Sequence, residues 1–262
     1  MIEHPLVGGV ANAGGVVRVG NHVLRPAGPH AEAIHAFLRA LRDAGFEGAP
    51  VPVGIEPDGR ERLVYIDGDV ALPPYPEWMQ ADASLDALAR FIARFHAAAS
   101  AFDPSPFAWS SDVSDPAGGP IVGHNDVCPE NVVFRDGVPV ALLDFDVAAP
   151  GRPELDLASL ARMYVPVDDD VNAGRLGWRP ADRPGRLRLV ADAYGLGAAG
   201  RRTLGACLDD VLDRTEEFVR RRVAGGDLNF VAIWAAMNGE ERFARRRRWW
   251  ASSQQRFLEA LR

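Results

Sequence analysis

The stretch His124-Asn125-Asp126-Val127-Cys128-Pro129-Glu130-Asn131, followed after two short apolar runs by Asp144-Phe145-Asp146, decides how this chain is read. Asp126, Asn131 and Asp144 fall at the edges of short strands. Any one of them there is ordinarily a turn or cap residue, because Asn and Asp side chains bond readily to nearby backbone. Their combination suggests chemistry. Phosphoryl transfer to an alcohol needs a carboxylate that orients the hydroxyl and accepts its proton, and it needs oxygen ligands for the magnesium that neutralises the phosphates. Asp126 is the candidate base, and Asn131 and Asp144 are the candidate metal ligands.

Upstream, the chain reads as short strands around one helix. Val16 to Val19 and His22 to Arg25 flank Gly20-Asn21, the pattern of a tight hairpin. Ile34, Phe37, Leu38 and Leu41 recur at helical spacing between Pro29 and Ala44, and Gly45 stands where a helix ends. Two more strands, Val51 to Ile55 and Arg62 to Ile66, surround the turn Glu56-Pro57-Asp58-Gly59. The proline-rich Pro73-Pro74-Tyr75-Pro76 then marks a change of regime. Helical patterns dominate beyond it, beginning with Ser84 to Ala99, where Ser84 is the expected N-cap. The expectation is an α+β chain with a small N-terminal lobe over residues 1–68 and a larger, mainly helical lobe over 69–262.

Composition excludes several classes. Of 262 residues, 47% are hydrophobic and 25% charged, the balance of a soluble globular protein. No apolar run approaches the roughly 18 residues that span a bilayer, and no basic leader precedes the first strands, so a cytoplasmic protein without membrane contact is expected. Cys128 and Cys207 are too few and too far apart for a disulfide framework. The net charge of −7 argues against a nucleic-acid partner and is compatible with a cationic ligand, for which Asp168, Asp169, Asp170, Asp210, Glu216, Glu217, Glu240 and Glu241 are candidate contacts. All 29 residues counted as Lys or Arg are Arg. The run Arg245 to Arg248 before Trp249-Trp250 reads as a solvated helix face with aromatic packing.

The segment His124 to Asn131 resembles the catalytic loop H-x-D-x-x-x-x-N of the aminoglycoside phosphotransferase and choline kinase superfamily, and Asp144 matches the metal-binding Asp that follows a hairpin in that family. Gly151-Arg152-Pro153-Glu154-Leu155-Asp156-Leu157-Ala158 resembles its G-x-P-x-x-D-L-A segment. The resemblance implies a two-lobed protein-kinase-like fold and a small-molecule kinase that moves the γ-phosphate of ATP to a hydroxyl with Mg2+. It implies a packing role for His124 and a bracing role for Asp156. It implies that Tyr65, Ile66 and Asp67 form the hinge that meets the adenine through backbone atoms. The acceptor, aminoglycoside-like or another metabolite, stays open, as does the choice of monomer or homodimer.

The match departs from the family at Arg25, which stands where the family has a phosphate-contacting Lys. Arg25 either serves an Arg-adapted site or marks a lobe that does not hold nucleotide; Glu32 on the following helix is its candidate partner. The segment Gly8 to Gly15 takes the position of a phosphate-covering loop. Two rivals remain at this stage. One is a catalytically inert kinase-fold protein that binds a metabolite, and the other is a metal-dependent hydrolase using His124, Asp126 and Asp144. Cys128 lacks a neighbouring base and reads as a small packing residue.

Overall fold

The computed structural model describes residues 3–6 and 15–262, so Gly8 to Gly14 of the glycine-rich segment lie outside the described residues. The N-terminal lobe is a five-stranded antiparallel sheet in the order β1-β2-β3-β5-β4. Its strands are β1 (His4–Pro5), β2 (Val17–Val19), β3 (His22–Pro26), β4 (Pro52–Ile55) and β5 (Arg60–Val64), and helix α1 (Ala31–Asp43) lies between β3 and β4. Gly20 takes a left-handed backbone, φ +60°, at the β2–β3 turn, which a side chain would strain. Ile34, Phe37, Leu38 and Leu41 form the buried face of α1, as their spacing predicts. The β3–β5 register sets Arg25 opposite Glu61.

After β5 the chain passes into β6 (Asp69–Val70), which pairs not with this sheet but with β8 (Val132–Arg135). The larger lobe begins with α2 (Glu77–Gln80) and α3 (Asp82–Ala99). It continues with β7 (Ile121–Gly123), a 3-10 turn (Pro129–Asn131), β8, β9 (Val138–Leu142) and β10 (Ala149–Gly151). Helices α4 (Pro153–Tyr164), α5 (Asp170–Arg175), α6 (Arg183–Tyr194), α7 (Ala198–Ala224), α8 (Leu228–Ala236) and α9 (Gly239–Ala260) complete it. The architecture is therefore α+β and two-lobed. The asparagine and aspartates of interest lie at the ends of β7, β8 and β9, where strands give way to tight turns.

The lobes share one core. Phe37 of α1 packs 6.2 Å from Phe95 of α3 and 6.2 Å from Phe145, ring centre to ring centre, and all three rings are essentially out of solvent. Burying a phenylalanine contributes about 1.5–3 kcal/mol. The ring beside Asp144 is thus anchored to both lobes.

Two local expectations are corrected. Ser84 does not cap α3; it lies inside the helix, and its hydroxyl donates to the Trp78 carbonyl at 2.8 Å. The arginine run is a solvated face only in part, at Arg247 and Arg248. Arg246 is 2% exposed and donates to the Leu212 carbonyl, Arg245 pairs with Asp169 at 2.6 Å, and Arg247 and Arg248 pair with Glu216 and Glu241. The aromatic packing is present: Trp249 and Trp250 both contact Phe257.

Candidate active site

The His124–Asn131 loop is held from behind by one carboxylate. Asp156, near the start of α4 and fully buried, accepts the His124 backbone N–H at 2.7 Å, the Asn125 backbone N–H at 2.6 Å and a contact from His96 Nε2 at 3.1 Å. Burial alone would raise the pKa of Asp156, but His96, His124 and these donors outweigh it and hold the carboxyl below its usual range. Gly123 packs closely here, since a Cβ there would stand 3.3 Å from Asp156 Oδ2. Asn125 takes φ +64°, a costly conformation for a non-glycine residue, and the two bonds into Asp156 help fix it.

His124 packs rather than reacts. Its ring lies 4.6 Å from the Phe145 ring, its Nε2 bonds to the Leu143 carbonyl at 2.7 Å, and its Nδ1 accepts the Asp126 backbone N–H at 3.3 Å. Both ring nitrogens are occupied. The Asn131 amide nitrogen donates to the Asp126 carbonyl at 3.1 Å and to Asp126 Oδ2 at 3.0 Å, so its Oδ1 is the atom that remains for a cation. Asp144, just after β9, adopts φ +60°. Asp126, Asn131 and Asp144 line one cavity of about 720 Å³, whose far wall is built from α7 and α8. Desolvation raises the Asp126 pKa, with Arg162 and His124 opposing and Asp144 assisting.

Arg25 reaches this cluster from the small lobe. Its Nη1 donates to Asp144 at 2.7 Å, its Nη2 to Asp146 at 2.5 Å and its Nε to Glu61 at 2.7 Å. Burial works against the charge, but Asp146, Asp144 and Glu61 outweigh it and the guanidinium pKa is raised. Glu61 in turn contacts His35 Nε2 at 2.6 Å; burial would raise its carboxyl pKa, but His35 and Arg25 bring it below the usual value.

The expected partner is thereby corrected: Glu32 is exposed in the first turn of α1, and Arg25 pairs with Glu61 on the neighbouring strand. The cross-strand register decides the pairing. Sequence reasoning missed Glu61, although Arg60-Glu61-Arg62-Leu63 sets Glu61 in phase with buried Leu63, a usable signal on a half-buried strand.

The hinge residues do not join this cluster. Tyr65 and Ile66 line a separate cavity of about 1000 Å³ beside α3 and β9, and Asp67 lines neither cavity. The Tyr65 backbone N–H donates to the Asn21 carbonyl at 3.0 Å and the Asp67 carbonyl accepts from Arg135 at 2.9 Å. Arg18 stacks on the Tyr65 ring at 3.7 Å. Only Ile66 of this segment makes no hydrogen bond to another described residue.

Cys128 is a half-buried thiol on the wall of the Asp126 cavity. Burial, and then the charges of Asp126 and Glu130, push its pKa well above the ordinary value, which disfavours a nucleophilic thiolate. The acids named as contacts for a cationic ligand are largely paired. Asp168 meets Arg242, Asp169 meets Arg245, Asp170 meets Arg183, Asp210 meets Arg152, and Glu240 meets Arg220. None of those acids lines the Asp126 cavity.

Residues 108–190 match the family model described as phosphotransferase enzyme family. The trifolitoxin immunity protein of Rhizobium leguminosarum bv. trifolii is 30% identical over 232 residues, 84% of this chain and 86% of that protein. The chain belongs to the phosphotransferase enzyme family. This phosphotransferase-family chain also shares its fold with solved kinases. A choline/ethanolamine kinase family protein from Mesorhizobium loti superposes with a TM-score of 0.65 at 16% identity, covering 100% of this chain and 92% of that one. The GDP complex of aminoglycoside 2'-phosphotransferase-IIIa gives 0.57 at 16% identity over 93% of each chain. The streptomycin–ATP ternary complex of APH(2")-IIa gives 0.55 at 15% identity, over 88% of this chain and 90% of that one. The two-lobed protein-kinase-like fold is thus the fold of this family member. No helix among the described residues is long and apolar enough to cross a membrane.

Proposed function

We propose that this protein is a cytoplasmic small-molecule kinase that transfers the γ-phosphate of ATP to a hydroxyl, with the acceptor in the cavity that runs from Asp126 to α7 and α8. One observation carries the reading: Asp126 and Asn131 from the His124–Asn131 loop, and Asp144 from the turn after β9, converge on that cavity. Asp126 orients the acceptor hydroxyl and takes its proton at a carboxylate oxygen; its pKa, raised by desolvation, makes it a stronger base than an exposed aspartate. Asp156 holds the loop that positions Asp126.

The residues present fit magnesium. Asn131 Oδ1 and the Asp144 carboxylate are hard oxygen donors, and a cationic guanidinium already rests against Asp144 and Asp146. When bound there, the metal would supply neutralisation of phosphate charge. Arg25 contributes positive charge at the same place from the small lobe, and residues 65–68 form the crossover between an N-terminal lobe of residues 1–68 and a C-terminal lobe of 69–262. Within the crossover Ile66, the Tyr65 carbonyl and the Asp67 N–H are the backbone contacts for a base. The hydrolase reading loses its support, because both His124 nitrogens are engaged and no group of three or more His, Cys, Asp or Glu among the described residues is arranged to hold a metal.

A second reading, an inert kinase-fold binding protein, has one observation in its favour: Arg25 is engaged by three carboxylates. Asp126→Ala separates the two. The kinase reading expects nucleotide affinity to persist while phosphate transfer falls by about 100-fold or more. A wild-type protein that binds Mg-ATP yet transfers no phosphate across a broad panel of hydroxyl acceptors supports the inert reading. A thermal-shift titration reports nucleotide binding directly, since ligand at a hundred times its Kd adds about 2.7 kcal/mol.

A further inference from the structure

The hydrogen-bonding groups of the charged side chains lining the Asp126 cavity are unevenly matched. Its acids are served: Asp144 and Asp146 by Arg25, Asp112 by Arg222 at 2.7 Å, Glu130 by the Tyr75 hydroxyl at 3.0 Å, and Asp126 by the Asn131 amide. Two of its arginines are not. Nε of Arg162, on α4, and Nη2 of Arg214, on α7, are buried nitrogens without a hydrogen-bond partner, and neither guanidinium forms an ion pair with a described residue. The carboxylates that bear on Arg214, Asp115 and Asp210, are instead taken by Arg152, at 2.7 and 2.8 Å. Desolvation accordingly lowers the Arg214 pKa.

A buried guanidinium nitrogen without an acceptor is destabilising, and an anion that fills the gap removes that cost through charge-assisted, often bidentate bonds. Met163, Val211, Phe218 and Phe230 line the same cavity with apolar surface. We propose that Arg162 and Arg214 recognise an anionic group, such as a carboxylate, on a hydroxyl-bearing acceptor that also presents an apolar portion to α7 and α8. The hydroxyl part of this statement rests on the kinase reading above; the anion site does not.

The test titrates the full chain, with and without a non-hydrolysable Mg-ATP analogue, against N-hexanoyl-L-serine, the matching N-hexanoyl-L-serinamide, and kanamycin, by calorimetry. Wild type is expected to bind the acid at least about tenfold more tightly than the amide, the discrimination of one charge-assisted hydrogen bond. Arg162→Gln and Arg214→Gln should each shrink that preference severalfold, and the double variant should abolish it. Melting temperatures at or above wild type establish that the variants fold, since each removes an unpartnered buried nitrogen. Equal binding of acid and amide, no binding of the acid, or preference for kanamycin overturns the proposal. Loss of affinity for the ATP analogue in the variants also overturns it, because the arginines would then serve the nucleotide phosphates. Phosphate transfer from ATP is followed in parallel: an acid that binds tightly and is not phosphorylated, with no transfer to the broad acceptor panel either, removes the kinase reading and leaves the anion site standing.

Discussion

Asp156→Asn is the substitution with the most to say about how the catalytic loop is built. It conserves shape but turns one carboxylate oxygen into an NH2 donor. Asp156 Oδ1 accepts the Asn125 N–H at 2.6 Å, and Oδ2 accepts the His124 N–H at 2.7 Å. Either orientation of the amide therefore faces a backbone N–H with another donor. Leaving one buried donor unmade costs about 1–3 kcal/mol, and the surviving bond loses its charge assistance, about 1 kcal/mol more. The expected loss is about 2–4 kcal/mol near neutral pH, read as a shifted urea midpoint at unchanged slope, with the six tryptophans as reporters. The pH dependence carries a sign. Because the folded Asp156 carboxyl titrates below its ordinary value, its contribution is present above the unfolded pKa and disappears as pH falls through the folded one. The gap between wild type and Asp156→Asn should thus be full at pH 7 and narrow below about pH 4. Phosphate transfer should fall with the displaced loop. A loss below about 0.5 kcal/mol, or a gap that widens in acid, would refute the bracing role assigned to Asp156.

Arg25→Lys keeps the charge but replaces a three-pronged donor with a compact ammonium; a loss of about 2–4 kcal/mol in thermal unfolding is expected, and an unchanged melting temperature would contradict the shared role of Glu61, Asp144 and Asp146. Gly119→Ala sets a Cβ 2.0 Å from the Gly151 carbonyl, where only backbone can yield, so about 1–3 kcal/mol or more should be lost; normal stability would mean that the loop before β7 is not seated there. Cys207, buried and with its thiol pushed up to about 12, should alkylate with iodoacetamide far more slowly at pH 7.5 than in urea, and equal rates in the two states would be incompatible with its burial.

Much of the fold was legible because its cues are local. The Gly20-Asn21 turn, the α1 stripe ending near Gly45 and the short runs around Asn131 each depend on neighbours in sequence, and each appears within a residue or two of its expected place. The Asp126, Asn131 and Asp144 cluster was legible as a spacing pattern. Glu61 was not, because it meets Arg25 only through the β3–β5 register, which no window of neighbouring residues contains. The roles of Asp168, Asp169 and the arginines of α9 were hidden for the same reason: their partners lie on helices separated by dozens of residues. Ser84 was misassigned because its hydroxyl has a nearby carbonyl, that of Trp78, which competes with a capping role.

Arg25 belongs to the small lobe, whereas two of the three carboxylates it holds belong to the large one. An internal counterion therefore ties the two lobes together across the cleft. A phosphate that reaches Arg25 competes with those carboxylates for one guanidinium, so its binding exchanges one anionic partner for another. Raising ionic strength, which loosens the resident pair and shields the guest alike, should therefore change affinity less than in a cleft lacking such a counterion.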